Sequence, residues 1–248
     1  MNGRLDMAVD EALLETVGAG ESNPVIRLYG FSPAALSFGR FQRIQESIHK
    51  DTILRDGIDY VRRPTGGHAV LHDDELTYAV ILARTHLEPF KKRTVYQFIA
   101  EILLKGLVNL GLKAKINSTR VGDLHNPDCF GTKSEYEISS VSGEKMIGSA
   151  QFSTRHGVLQ HGSIPIGPSY KRIGKYLEIE KNLNGSGPTC IEEELKKDIS
   201  CTQCREAFSR AVQDTLPIEI SELSPKEKKR AEELLEEKYS KDSWNLSR

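Results

Sequence analysis

Apolar residues recur with two different periods along this chain. Leu5, Val9, Leu13 and Val17 are spaced four residues apart, which is the spacing of one buried face of a helix. The pattern predicts an amino-terminal helix that ends at the glycines at positions 18 and 20. The same spacing predicts a longer helix over residues 94–110, and the segment QESIHKDTILRDG predicts a short helix that ends at position 57.

Short apolar runs bounded by glycine, proline or aspartate predict β-strands. They are VIRLYGF, AALSFG, DYVRRP, HAVLH, ELTYAVIL, KAKI, YEISS, KMIGSAQ and GVLQHGSIPI. We expect HAVLH and ELTYAVIL to pair as a β-ribbon through Asp73 and Asp74. Ser142-Gly143 is expected to form a second hairpin turn.

The pattern changes after Pro168, and from about residue 169 the chain is highly charged and predicted to be mostly helical. Ser224-Pro225-Lys226-Glu227 matches a capping box with proline at the first helical position. The chain is therefore predicted to be a mixed α/β (α+β) protein. We expect a single domain over residues 1–248 with a helical carboxyl-terminal part.

Composition and charge limit the classes of protein to which this chain can belong. The chain has 248 residues, of which 38% are hydrophobic, and its net charge is −1. It is long enough for one sizeable core, and it has no apolar run long enough to span a membrane. We therefore expect no membrane partner. The net charge argues neither for nor against nucleic acid, and we expect no nucleic-acid partner. The first residues lack the pattern of a secretory signal, and four cysteines do not make a disulfide framework in a chain of this length. These features predict a cytoplasmic protein with reduced thiols.

The stretch RRPTGGHAVLHDDELTY has the most specific pattern. Gly66 and Gly67 allow the backbone to approach a ligand closely. Arg62 and Arg63 are suited to bind a phosphate or a carboxylate. A glycine hairpin with an arginine pair on the surface explains the same residues equally well.

A second candidate stretch is GEKMIGSAQ, in which Lys145 precedes the small residues Gly148, Ser149 and Ala150. Small side chains leave room for a ligand or for close packing of strands. A single lysine is more often a solvated surface residue. His161, in LQHGS, lies in an apolar strand, where histidine is more often structural than catalytic.

Cys129 follows Asn126-Pro127-Asp128 and is expected to lie at a turn. Thiolate chemistry requires access to the sulfur, and a nearby ammonium such as that of Lys145 would favour the thiolate. The more common alternative is that Cys129 is a small buried apolar residue.

The other three cysteines are Cys190, Cys201 and Cys204. A structural zinc site requires four ligands, and no fourth cysteine or histidine lies near them in sequence. We expect no metal site here, and a helix over residues 202–212 with Cys201 near its cap.

Together these stretches resemble the lipoate/biotin protein ligase superfamily. FGRFQ, VRRPTGGHAVLHDDELTYAV and KMIGSAQ…LQHGSI occur in the order and spacing of that family. The combination PDCF…YEI…GEKMIGSAQ resembles its cysteine-dependent octanoyltransferase branch. The resemblance implies a central mixed β-sheet flanked by helices, similar to class II aminoacyl-tRNA synthetases and biotin ligases.

The resemblance also implies an activity in lipoate biosynthesis. Such enzymes move an octanoyl group from acyl carrier protein to a lysine of a lipoyl domain, as in the glycine cleavage H protein or the 2-oxoacid dehydrogenase E2. By the resemblance, Cys129 carries the acyl thioester and Lys145 is its catalytic partner. The implied substrate-binding residues are Arg63, Gly66, Gly67, His68, Ala69, Val70, Leu71, His72, Gly148, Ser149, Ala150 and His161. No cofactor is implied, and we expect a monomer.

Two related activities remain open. An ATP-dependent lipoate-protein ligase would bind Mg-ATP and form lipoyl-adenylate with Arg63, residues 67–71 and Lys145, and Arg40 in GRFQ resembles the ligases. Tyr136-Glu137 stands where such ligases carry an Asn-Asp pair, which favours the transferase. An amidotransferase that moves octanoyl or lipoyl groups between lipoyl domains would use the same chemistry with another donor. A non-catalytic carrier-binding module is disfavoured, because both Cys129 and Lys145 are present.

Overall fold

A computed structural model describes residues 2–44, 47–117, 136–178 and 188–247. The helices are α1 (Gly3–Gly18), α2 (Lys50–Arg55), α3 (Lys92–Asn109), α4 (Ile191–Leu195), α5 (Cys201–Gln213), α6 (Pro225–Leu234) and α7 (Asp242–Asn245). The strands are β1 (Val25–Tyr29), β2 (Ala35–Phe38), β3 (Asp59–Arg62), β4 (Val70–His72), β5 (Glu75–Ala83), β6 (Ala114–Ile116), β7 (Ile138–Ser140), β8 (Gly148–Ser153) and β9 (Gly157–Pro165). Short 3₁₀ segments cover Arg84–His86 and Pro168–Lys175, and a π turn covers Leu235–Tyr239.

The described strands form three sheets. The central sheet has the order β1-β5-β9-β8, and every pair in it is antiparallel. The second sheet has the order β3-β2-β4, with β2 parallel to β3 and antiparallel to β4. β6 and β7 form a separate antiparallel pair. The predicted mixed α/β class is confirmed, although the strands divide among three sheets instead of forming one.

The predicted ribbon of HAVLH and ELTYAVIL is wrong. β4 pairs with β2, whereas β5 pairs with β1 on one side and with β9 on the other. Both edges of β5 are therefore occupied, and all nine of its residues are buried. Asp74, at φ 53°, turns the chain out of the second sheet and into the central one.

Helices cover both faces of the central sheet. On one face, the apolar side of α1 packs against residues such as Ala79 and Leu159. On the other face, α3 and α5 pack against residues such as Tyr78 and Val158. This two-sided burial explains why β5 is a continuous apolar run instead of an alternating one. Where the structure describes the chain, no helix has the length and apolar character that crossing a bilayer requires.

The carboxyl-terminal helices connect the second sheet to α1. The capping box at Ser224 is confirmed, since its side chain accepts from Glu227 N at 3.3 Å. Trp244 Nε1 donates to Arg62 O at 2.8 Å, and Asn245 Oδ1 accepts from Arg62 N at 3.0 Å. The Arg62 side chain is fully buried and donates to Gly39 O at 2.7 Å. Arg62 therefore holds the end of β3 in place.

Candidate active site

A cavity of about 370 Å³ lies between α1, the central sheet and the second sheet. Its walls are formed by Met7, Tyr29, Ser37, Arg63, Val70, His72, Thr77, Gly148, Ser149, Ala150, His161, Gly162 and Ser163. The lining therefore combines residues from α1, both sheets and the loop after β3.

Strand register brings distant stretches of sequence into one wall. Gly148 pairs with Ser163, which in turn pairs with Thr77 of β5. Gly162 is required by close packing in this wall, because a Cβ there would lie 2.1 Å from Gly148 O and 2.6 Å from Tyr78 Cε1. No residue larger than glycine fits at position 162 without moving β8.

Arg63 lies beside the cavity, but its guanidinium is bound by the protein. Nε donates to Thr65 Oγ1 at 3.1 Å, and Nη1 donates to both Ser37 O and Ser37 Oγ at 3.0 Å. Nη2 donates to Gly66 O at 2.9 Å and to His68 O at 2.7 Å. An arginine has five N–H donors, and these five hydrogen bonds match that number. In this structure Arg63 organises the loop of residues 63–68.

One arm of hydrogen bonds leads from Arg63 to α1. Thr65 Oγ1 lies 2.7 Å from His161 Nε2, and His161 Nδ1 lies 3.0 Å from Asp10 Oδ2. Burial lowers the pKa of His161 despite the nearby Asp10 carboxylate, so the imidazole is neutral at pH 7. The Asp10 carboxylate can only accept, so the imidazole proton lies on Nδ1, and Nε2 accepts from the Thr65 hydroxyl.

A second arm repeats this arrangement on the other side of Arg63. Ser37 Oγ accepts from Arg63 and lies 2.8 Å from His72 Nε2. His72 Nδ1 lies 2.7 Å from Glu75 Oε1. The imidazole of His72 also stacks on Phe31, with ring centroids 4.1 Å apart. Because the Glu75 carboxylate can only accept, Nδ1 of His72 donates to it.

We refer to these seven residues as the wall network: Asp10, His161, Thr65, Arg63, Ser37, His72 and Glu75. Its two terminal carboxylates, Asp10 and Glu75, lie behind the lining. Asp10 also accepts from the Tyr29 hydroxyl at 3.0 Å, and Glu75 also accepts from the hydroxyls of Thr77 and Ser163.

The remaining polar side chain of the lining, Ser149, accepts from Tyr78 at 2.7 Å. Every polar side chain of the lining therefore has a protein partner, and the cavity presents mainly carbon.

Two buried carboxylates of α1, Asp6 and Asp10, share one arginine, Arg27. Burial works to raise the pKa of Asp10, but Arg27 and the hydrogen bond from His161 outweigh it, so this pKa is lowered. Burial raises the pKa of Asp6 to about 6, although Arg27 donates to its Oδ1 at 3.0 Å. Asp6 Oδ2 is buried and has no hydrogen-bond partner within the described ranges. One arginine thus faces two carboxylates one helical turn apart.

Lys145 is buried next to the strand that forms part of the cavity. Its Nζ forms an ion pair with Glu137, and the exposed fractions of the two side chains are 4% and 5%. Its backbone bridges Ser139 on one side and Pro188 on the other. We call Lys145 and Glu137 the lysine pair. The solvated surface position, which is more common for a lysine, does not apply to Lys145.

The predicted site residues separate into three groups. Seven line the cavity: Arg63, Val70, His72, Gly148, Ser149, Ala150 and His161. Gly66, Gly67 and His68 belong to the loop that wraps Arg63. Ala69 and Leu71 point into the core of the second sheet, because alternate side chains of an extended chain point to opposite faces. Cys129 lies outside the described residues.

Several residues of this region had no predicted role. They are Met7, Tyr29, Ser37, Thr77, Gly162 and Ser163 in the lining, and Asp10, Glu75 and Glu137 behind it. Asp10 lies in the predicted amino-terminal helix, and Glu75 lies in the stretch RRPTGGHAVLHDDELTY. The sequence alone does not give the strand register that brings these two carboxylates within hydrogen-bond distance of the lining side chains.

The other cysteines lie in the carboxyl-terminal part. Cys190 and Cys204 are buried, and burial raises their pKa values to about 11 and about 12. Cys201 is exposed at the start of α5, which begins where the sequence predicted. Among the residues with described positions, no three or more His, Cys, Asp or Glu side chains are grouped as metal ligands.

Comparison with known proteins agrees with the motifs. The chain is 36% identical over 262 residues to the Octanoyltransferase LipM of Bacillus subtilis (strain 168), which covers 98% of this chain and 94% of that protein. The crystal structure of lipoate-protein ligase A bound with ATP aligns with a TM-score of 0.81, at 25% identity over 99% of this chain and 94% of that one. A T. acidophilum structure with bound lipoic acid aligns with a TM-score of 0.80, at 25% identity over 100% of this chain and 95% of that one.

These likenesses confirm the predicted lipoate-ligase type of fold and the prediction of an acyltransferase. Residues 2–213 match the family described as the Lipoyl protein ligase A/B catalytic domain. The chain therefore belongs to the Lipoyl protein ligase A/B catalytic domain family.

Proposed function

We propose that this protein transfers an octanoyl group from octanoyl-acyl carrier protein to a lysine of a lipoyl domain. The acceptor would be a protein such as the glycine cleavage H protein or a 2-oxoacid dehydrogenase E2. The reaction would pass through an acyl thioester on Cys129. It requires neither ATP nor a metal ion, because the thioester of the donor is already activated.

The cavity is the observation that carries the proposal. Its polar lining residues bind one another, so the space between them suits an uncharged, apolar chain. An eight-carbon acyl group gains binding free energy from each methylene that it buries there. The full-length similarity to a protein named Octanoyltransferase LipM supports the same substrate.

The proposed chemistry has two exchanges. The Cys129 thiolate attacks the carbonyl carbon of the donor thioester, the bond to the carrier thiol breaks, and an octanoyl-enzyme forms. The amine of the acceptor lysine then attacks this second thioester, an amide bond forms, and Cys129 leaves as the thiolate. Two successive acyl transfers through one covalent intermediate predict ping-pong kinetics.

Lys145 is proposed to assist both exchanges. Its ammonium would stabilise the Cys129 thiolate electrostatically, and it would supply and recover the proton that each leaving thiol or attacking amine requires. The buried pairing with Glu137 supports this role, since the carboxylate holds the Lys145 side chain in a fixed position.

Intact mass spectrometry tests the proposal. The protein is mixed with octanoyl-acyl carrier protein without ATP, and Cys129→Ser is treated in the same way. We expect one octanoyl adduct on the unmodified sequence, lost on treatment with hydroxylamine and absent from the variant. If the two proteins behave alike, the thioester mechanism is wrong.

A second candidate function is ATP-dependent lipoate ligation. It is favoured by the likeness to lipoate-protein ligase A bound with ATP. With octanoate or lipoate and Mg-ATP, a ligase would release pyrophosphate and modify a lipoyl domain without a carrier protein. Pyrophosphate release in this assay, together with no adduct from the carrier, would assign the chain to the ligases.

A further inference from the structure

The cavity wall contains more hydrogen-bond donors than an apolar ligand tolerates. Tyr29, His72, Thr77, His161 and Ser163 all line it, and each carries an O–H or N–H group. A donor that faces an acyl chain would lose its partner when the chain excludes water, which costs about 1–3 kcal/mol per group. Acceptor groups behind the lining must therefore bind these donors.

Two buried carboxylates receive all five donors. Asp10 accepts from Tyr29 at 3.0 Å and from His161 at 3.0 Å. Glu75 accepts from His72 at 2.7 Å and from the hydroxyls of Thr77 and Ser163. Neither carboxylate belongs to the lining.

The negative charge of the two carboxylates explains why they accept the hydrogen bonds of the wall. Only an ionised carboxylate offers two oxygens that accept several hydrogen bonds and donate none. At Glu75 the wall donors use both oxygens, so an amide there would turn one acceptor into a donor and would force at least one wall group to reorient. At Asp10 both wall donors share Oδ2, and Arg27 occupies Oδ1. Arg63 lies between the two arms and accepts no hydrogen bond. It donates to Thr65 and Ser37, so the hydrogen bonds of both arms run from Arg63 towards the carboxylates.

We infer that Asp10 and Glu75 are specificity-determining positioning residues, which keep the wall apolar by drawing its hydrogen-bond donors away from the acyl chain. This inference rests on the proposed function to the extent that it takes the cavity as the acyl site. Neither residue touches the substrate. Each acts through the side chains that it binds, and the effect is a preference for long acyl chains over short ones.

Glu75→Gln tests the Glu75 side with little change of shape. The glutamine oxygen can keep the hydrogen bonds from His72 and Thr77, and its NH₂ then faces Ser163. Because that NH₂ cannot accept, the Ser163 hydroxyl proton must turn elsewhere, and the cavity is the adjacent space. Glu75→Gln combined with Ser163→Ala removes the hydroxyl and should restore the apolar wall.

The measurement is equilibrium binding of butanoyl, hexanoyl, octanoyl and decanoyl N-methylamides, which are neutral probes and need no donor protein. For the unmodified protein we expect Kd to fall about fourfold per added methylene until the cavity is filled. In Glu75→Gln, chains that reach Ser163 should bind about tenfold more weakly, and shorter chains should bind as before. The double variant should recover the original dependence to within about threefold.

Glu227→Gln is the matched control. Glu227 is also buried and also accepts several hydrogen bonds, from Ser22 at 2.7 Å and from Ser224 N at 2.7 Å. It lies in α6, outside the cavity lining, so its replacement should leave the chain-length dependence intact. Equal weakening of all chain lengths in Glu75→Gln, or no recovery in the double variant, would overturn the inference.

A measurement on the unmodified protein covers the case in which Glu75→Gln does not fold. The ¹⁵N chemical shifts of assigned His72 and His161 report which nitrogen carries the proton. We expect Nδ1–H for both, because each Nδ1 faces a carboxylate. An Nε2–H tautomer at either residue would show that the carboxylate does not receive that donor, and would overturn the inference for that arm.

The same samples separate this inference from the proposed function. If the unmodified protein shows the expected chain-length dependence but transfers no octanoyl group, the inference stands and the proposed reaction falls. If it binds none of the amides, the inference falls whatever the transfer assay gives.

Discussion

The wall network and the lysine pair use buried charge in opposite ways. In the wall network, a histidine and a hydroxyl separate each terminal carboxylate, Asp10 or Glu75, from Arg63. Asp10 forms its direct ion pair with Arg27, which lies outside the cavity lining. In the lysine pair, the Lys145 ammonium meets the Glu137 carboxylate directly. Both regions are buried, and the cavity residue Gly148 follows Lys145 by three positions in sequence.

Under the proposed function, the difference would allow one enzyme to hold an apolar chain and still act on a polar bond. Hydrogen bonds in the wall network end on groups behind the lining, so little polarity remains towards the ligand. A direct ion pair fixes the position of the Lys145 side chain, which the proposed reaction requires. Breaking each arrangement should therefore produce a different kind of defect.

The largest expected effect comes from breaking the lysine pair. Lys145→Met leaves the Glu137 carboxylate buried without its ammonium, which should lower the free energy of unfolding by about 3–5 kcal/mol in a urea titration. Octanoyl transfer should fall by about 10²–10⁴, the range for loss of a general acid–base group.

The double variant Lys145→Met with Glu137→Gln is the control for charge. It removes the isolated carboxylate and should recover at least half of the lost stability while transfer stays low. A loss below about 1 kcal/mol in the single variant would mean that the pair is not a buried ion pair in solution.

Asp6 provides a pH-dependent test beside the wall network. Its pKa is about 6 in the folded protein against 3.8 for an ordinary aspartate, so the folded state binds the proton more tightly. Its contribution to stability is therefore present below about pH 4 and is lost as pH rises through about 6. The loss should be of the order of 2–3 kcal/mol.

Asp6→Asn removes this titration, and its amide oxygen can still accept from Arg27. The difference in unfolding free energy between variant and unmodified protein should therefore increase from pH 4 to pH 7 in favour of the variant. The comparison uses the difference between the two proteins because His161 also titrates. Its pKa is lowered, so its contribution to the free energy of unfolding is lost as pH falls below about 6.5, which is opposite to the effect of Asp6. A difference that does not change with pH would contradict the assignment.

Gly39→Ala tests the backbone contact that supports the loop of residues 63–68. A Cβ at position 39 would lie 1.7 Å from Gly67 O, so the loop must move. We expect a loss of about 1–3 kcal/mol in stability, accompanied by weaker binding of the octanoyl probe. Gly174→Ala is the matched control, since its Cβ would meet nothing within 4 Å, and thermal unfolding should distinguish the two.

The smallest expected effect comes from an exposed ion pair, which contrasts with the lysine pair. Lys228 lies 3.1 Å from Glu222, and both side chains are mostly exposed. Lys228→Ala should change the free energy of unfolding by less than about 0.5 kcal/mol. If Lys228→Ala lowered the free energy of unfolding as much as Lys145→Met, burial would not explain the difference between the two pairs.

Local pattern was sufficient to predict most elements of this fold. α1 ends at Gly18, as the glycines predicted, and α3 covers Lys92–Asn109 where residues 94–110 were expected. The pairing of β4 with β5 failed, because short turns predict local hairpins and the partner of β4 lies earlier in the chain. Apolar periodicity marks a strand but does not name its neighbour.

The site was predictable at the level of motifs, and less so at the level of atoms. The sequence identified Arg63, His72 and His161, which the structure brings to one cavity. It suggested that Arg63 binds a ligand, whereas protein acceptors surround its guanidinium. Asp10 and Glu75 had no predicted role, since their partners are set by tertiary packing between α1, β5 and β9.

The most direct test of the central claim is the complete reaction. Octanoyl-acyl carrier protein is supplied as the only acyl source, a lipoyl domain is supplied as acceptor, and ATP is left out. The account predicts a lipoyl domain that carries one octanoyl amide on its lysine, formed by the unmodified protein and not by Cys129→Ser. A lipoyl domain that stays unmodified here, but is modified when octanoate and Mg-ATP are supplied, would contradict it.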